Sequence, residues 1–118
     1  MESFNVVRVF SDDDGESHFE DLSIPLHENG MIGYLSKKYK VDNLIFRKVA
    51  PSYDYDFHTA PARQYIILLD GKIEIETSLG EKRSFGAGDV LLVEDTVGKG
   101  HKTRNLIPQI RNSIFVTL

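Results

Sequence analysis

The sequence contains no cysteine, which excludes a disulfide scaffold, a thiolate metal site and a cysteine nucleophile in any compartment. No apolar run approaches the roughly 18 to 20 residues that span a bilayer, and Met1-Glu2-Ser3-Phe4-Asn5 has neither a basic region nor an apolar signal core. A soluble cytoplasmic protein with no membrane partner is expected. An excess of positive charge is also missing. Fourteen Lys+Arg against eighteen Asp+Glu give a net charge of -4, so nucleic acid is not expected as a partner. Amphipathic-helix spacing is almost absent. No G-x-S-x-G elbow and no histidine in a triad context supports a serine or threonine nucleophile.

What remains is a chain of 118 residues, 41% hydrophobic and 27% charged, with four prolines. That composition suits one globular domain over residues 1–118, with no internal repeat and no linker. Short β-type runs separated by turn residues dominate it. Around Asp70-Gly71, a pair suited to positive φ, the stretch Arg63 to Ser78 predicts a hairpin. Lys72, Glu74 and Glu76 then alternate with Ile73, Ile75 and Thr77, as on a strand with one wet face. Leu79-Gly80-Glu81 and Gly86-Ala87-Gly88-Asp89 predict two further reversals and hence a meander through Val90 to Val93. Other expected strands are Asn5 to Phe10, Phe19 to Ile24, Met31 to Leu35, Asn43 to Val49, Gly100 to Arg104 and Asn112 to Leu118. About nine strands with frequent turns predict an all-β sandwich or barrel.

Two of the four histidines, His58 and His101, flank the expected meander. Period two places Asp54, Asp56 and His58 on one strand face, with Tyr53, Tyr55 and Phe57 on the other as packing residues. A carboxylate two residues before an imidazole can orient it, raise its basicity or share a ligand with it. His18 and His27 read as surface or structural. Asp12-Asp13-Asp14-Gly15-Glu16 reads as a solvated turn, because an EF-hand would need an acid at Phe10. Gly86-x-Gly88 leads into a strand and is no dinucleotide fingerprint. The basic run Lys99 to Arg104 reads as a solvated strand end, with an anionic ligand at a barrel mouth as the alternative.

The pattern of residues resembles the small cupins. Their first motif, G-x5-H-x-H-x3-4-E-x6-G, is matched by His58-Thr59-Ala60, Gln64 and Gly71. The second, G-x5-P-x-G-x2-H-x3-N, is matched by Gly88 and Gly98-Lys99-Gly100-His101-Lys102-Thr103-Arg104-Asn105, with a loop two residues longer and Thr96 in place of proline. The resemblance covers about 52–105 and implies a cupin-type jelly-roll β-barrel (a double-stranded β-helix), with strands in 4–50 completing it. It also implies a homodimer paired through sheet edges.

Metal-binding cupins hold a divalent transition metal, often Zn, Mn, Fe or Ni, with three histidines and a glutamate. Here Ala60 and Gln64 replace one histidine and the glutamate, and Ser52 replaces the opening glycine. The metal ligands that the resemblance leaves are His58, Gln64 and His101, and an amide oxygen binds cations less well than a carboxylate. The same three residues are the expected lining of a small-molecule cavity. Three readings follow. The first is a binding module for a small anionic or polyhydroxy metabolite. The second is a metal-assisted or general-base enzyme (isomerase, lyase or dioxygenase) on a small organic acid or sugar, with His58, Asp56 and His101 as catalytic candidates. The third is a structural or interaction dimer with a vestigial cavity.

Overall fold

A computed structural model describes residues 2–118. The strands are β1 (Ser3–Ser11), β2 (Ser17–Pro25), β3 (His27–Glu28), β4 (Tyr34–Leu35), β5 (Asn43–Val49), β6 (Asp54–His58), β7 (Gln64–Leu68), β8 (Lys72–Thr77), β9 (Lys82–Gly86), β10 (Val90–Val93), β11 (His101–Asn105) and β12 (Arg111–Thr117). A six-stranded sheet runs β2-β1-β10-β7-β12-β5, and a four-stranded sheet runs β6-β11-β8-β9. Their inner faces meet in a core of Val9, Leu68, Leu91 and Val93 from one sheet and Ile73, Ile75 and Phe85 from the other. No helix among the described residues is long and apolar enough to cross a membrane.

Local sequence accounts for most of these strands. In β8, Ile73, Ile75 and Thr77 are buried while the residues between them are more exposed, the alternation of a sheet with one wet face. The expected meander, however, is wrong. β7 pairs with β10 and β12, whereas β8 pairs with β11 and β9, so Asp70-Gly71 is a corner between the two sheets and not a hairpin. Gly71 has the positive φ that its neighbours suggested, 70°, but the space it leaves is filled by another strand. A Cβ there would stand 3.1 Å from the Cγ of Arg111.

The Gly86–Asp89 turn is a second corner. Its shape is held by the Gly86 N–H donating to Asp89 Oδ2 at 2.8 Å and the Gly88 N–H donating to the Leu68 carbonyl at 2.8 Å. Of the three turns in this stretch, only Leu79-Gly80-Glu81 closes a hairpin, with the Thr77 N–H donating to the Glu81 carbonyl at 2.9 Å. The periodicity that defines each strand is blind to which sheet receives it.

The strand expected at Met31 to Leu35 is shortened. Gly30 and Gly33 both take positive φ, 60° and 98°, and enclose a 3-10 turn over Gly30–Ile32. β3 and β4 flank that turn as a separate two-stranded hairpin.

The loop before β11 is clamped by its neighbours. Ser11 Oγ donates to the Val97 carbonyl and Ser17 Oγ to the Gly100 carbonyl, each at 2.7 Å, and the Lys99 N–H donates to the Gly15 carbonyl at 2.9 Å. Gly100, at φ 73°, lies so close to the His58 carbonyl that no Cβ fits between them. Gly100→Ala is therefore expected to lower the unfolding free energy by about 3 kcal/mol or more. Urea denaturation measures this, and an unchanged midpoint would mean that the contact yields without cost.

Candidate functional site

Between the sheets lies a cavity of about 280 Å³, lined by residues of β5, β6, β7, β8, β10, β11 and β12. Its walls include Ile66, Ile73, Ile75, Leu91, Val93 and Phe115, and His58, Gln64 and His101 line it together. The three residues that the motifs single out thus meet in one place. His58 and His101 face each other across the β6–β11 ladder, their ring centroids 4.6 Å apart. Gln64, at the start of β7, is 4% exposed.

Each imidazole has one nitrogen engaged. His58 Nδ1 lies 2.8 Å from the Asp56 backbone carbonyl. A carbonyl can only accept, so Nδ1 carries the hydrogen and a neutral ring leaves Nε2 bare. His101 Nδ1 lies 2.5 Å from Oδ2 of Asp95, which is fully buried. Facing a carboxylate, that nitrogen is again the donor, and Nε2 is left bare when the ring is neutral. The Asp95 carbonyl accepts the Ala60 N–H at 3.0 Å, tying the loop before β11 to the end of β6. Burial holds His58 below the ordinary histidine value of 6.5; its bond to the Asp56 carbonyl opposes this, and the nearby His101 adds to it.

The strand-face expectation for β6 fails, and with it the role of Asp56. His101 pairs with His58 and Thr103 with Tyr55, so two steps along β11 match three along β6. That bulge inserts one residue and shifts the phase. Tyr53 and Tyr55 therefore line the cavity with His58, and the Tyr55 ring sits 3.8 Å from that of His58, centroid to centroid. The Asp56 carboxylate turns back to accept its neighbour's N–H, from Phe57 at 2.8 Å. It neither orients His58 nor joins a ligand set; only the Asp56 backbone carbonyl touches the ring.

Three lining or supporting residues were not anticipated. Asp95 lies six residues before His101, a spacing that no general rule marks. Arg47 and Arg111 line the cavity, although an arginine on a short strand ordinarily reads as surface. Arg111 shares a phase with Ser113 and Phe115, and that face turns inward while the more apolar Ile114 and Val116 take the other. From the basic run 99–104, only His101 and Thr103 line the cavity. Lys99 pairs with Glu16, and Arg104 pairs with Glu74 at 3.0 Å.

The residues present do not fit the divalent metal that the resemblance implies. No group of three His, Cys, Asp or Glu that could hold a metal ion occurs among the described residues. Two imidazoles and an amide, with no carboxylate lining the cavity, would have to hold a dication beside two guanidiniums, and that donor set disfavours a cation.

Histidine 58 gives the site a pH signature. Because its folded value is lowered, the unfolded chain takes up this proton near pH 6.5 while the folded chain does not, so the unfolded state binds more protons in that window. Stability is expected to fall as pH drops below 6.5 and to level off once the folded value is passed. Melting temperature against pH measures this, and His58→Gln should flatten that part of the curve. The same slope in the variant would count against the assignment.

No family model matches the sequence, and no curated protein does. Solved structures do match in fold. The Drosophila melanogaster CENP-C cupin domain superposes with a TM-score of 0.51 at 15% identity, over 99% of this chain and 71% of that one. The Drosophila melanogaster CENP-C bound to CAL1 gives 0.50 at 16% identity, over 79% and 74%. With two facing sheets and these structural neighbours, the chain has the fold of a cupin-type jelly-roll β-barrel.

Proposed function

We propose that this barrel is a binding module whose cavity takes a small molecule without a metal ion. The observation that carries the reading is the placement of His58, Gln64 and His101 together on the wall of a cavity of about 280 Å³. Two bare imidazole nitrogens and an amide converge there from three strands, the few placed polar groups on apolar walls that a ligand site needs. A vestigial barrel would be expected to fill that space with side chains. Screening a metabolite panel by thermal shift tests the reading, since a ligand at a hundred times its Kd stabilises by about 2.7 kcal/mol. One ligand class should raise the melting temperature of the wild type and not of His58→Ala/His101→Ala. A panel that raises neither would sink the proposal.

A second reading, an interaction role through pairing with another copy, is favoured by the edge of the large sheet. β5 ends that sheet and leaves Leu44 59% and Phe46 77% exposed. An apolar edge of this kind invites pairing with another strand. A neighbour in fold, CENP-C, is known bound to CAL1; its identity to this chain is low, and it lends the reading only context. Antiparallel addition of a second β5 would make a two-fold dimer. Light scattering at micromolar concentration should then give twice the 13.4 kDa chain mass, and Phe46→Lys should return a monomer. A monomeric wild type overturns this reading and leaves the first intact.

A further inference from the structure

Two guanidiniums share the cavity, and neither makes an ion pair among the described residues. Arg111, at the start of β12, is 1% exposed yet lines the cavity. Its Nε donates to Asn105 Oδ1 at 2.9 Å, and its Nη2 is buried with no hydrogen-bond partner. Arg47 reaches in from β5, its guanidinium 5.1 Å from the ring centre of Tyr53 and 4.8 Å from that of Phe115. The Arg111 guanidinium lies 5.4 Å from the same Tyr53 ring. Every ion pair among the described residues is made by other groups. Asp70, close enough to act on Arg111 through its charge, has its oxygens committed to Asn112, accepting from its backbone N–H at 2.7 Å and its side-chain amide at 2.6 Å. Burial and the charge of Arg47 both work against the charged form of Arg111.

A buried, unpaired guanidinium is costly, and beside a second one more so. The arrangement is relieved by an anion that enters with a ligand. We infer that Arg111 and Arg47 form a carboxylate subsite, so that the molecule held in this cavity is a small hydroxy acid bound through its carboxylate at one pole and its hydroxyl at the other. This rests on the small-molecule reading above and names the ligand class for the same cavity. With Nε spent on Asn105, Arg111 presents only its Nη edge, which suits a planar carboxylate. The other pole is set by β11. Asn105, which orients Arg111, lies four residues from His101 on that strand, roughly 13 Å of backbone. There the imidazoles offer lone pairs, so the ligand must supply the hydrogen, as a hydroxyl does.

Calorimetric titration of the full chain with matched pairs tests this: γ-hydroxybutyrate and meta-hydroxybenzoate, each beside its primary amide, with inorganic phosphate as a further probe. At least one acid should bind about tenfold or more tightly than its amide, and more tightly than phosphate. In Arg111→Met that preference should vanish, while the ligand-free variant melts no lower than the wild type because an unpaired buried charge has gone. If Arg111→Met does not fold, Arg47→Met, at a half-buried position, is expected to show the same loss in weaker form. Amides that bind as well as acids, phosphate binding more tightly than either, or a preference that survives in the variants would each overturn the subsite and leave the cavity reading standing. If neither acids nor amides bind, the hydroxy-acid assignment falls, and the metabolite panel alone decides the cavity reading.

Discussion

The two sheets meet where the apolar stem of Arg111 lies over Gly71. That stem occupies the space that a Cβ at Gly71 would need, at the corner where the chain leaves the large sheet for the small one. The same arginine reaches Asn105 at the end of β11, and its neighbour Asn112 holds Asp70 on the near side of the corner. Strands of both sheets are thereby fixed to one point. The stem is apolar and packs as such; the head is charged and makes no ion pair, Asp70 acting on it only at a distance. One residue thus closes the barrel and polarises its interior, and the fold tolerates the charge because the stem's packing offsets part of its burial cost.

The opposite pole follows a quieter rule. His58 and His101 each spend Nδ1 on an oxygen, a backbone carbonyl in one case and the buried Asp95 carboxylate in the other. Both rings are thus oriented by the protein, and the nearness of His101 adds to the burial that lowers the value of His58. The Gly100 contact and the clamped loop that precedes it set the spacing. A bulge in β6 brings His58 round to meet its partner.

Much of this was legible in the sequence, and the failures have specific causes. Strands such as β5, β8 and β10 stand out because side-chain period and turn residues are local signals. His58, Gln64 and His101 meet as the motif spacing suggested. Asp70-Gly71 was misread because a positive φ specifies how a turn bends and leaves open which strand lies beside it. Asp56 was misassigned because one inserted residue reverses every face after it, and a bulge is defined by its partner strand. Arg111 and Arg47 were missed because their environment is created by the closure of two sheets, and Asp95 because its partner arrives through a loop of irregular path.

The β3–β4 hairpin has a different bearing. Its tip touches little: Met31 is fully exposed, and both flanking glycines face open space. Tyr34, Leu35 and Tyr39 at its base line an outer groove with Phe4, Val6 and Tyr65, outside the barrel cavity. A tip that is closed by its own turn and carries no cavity residue can accept foreign sequence. Residues 30–33 are therefore a natural splice point for a reporter or a second domain, one that would leave the barrel interior as it is.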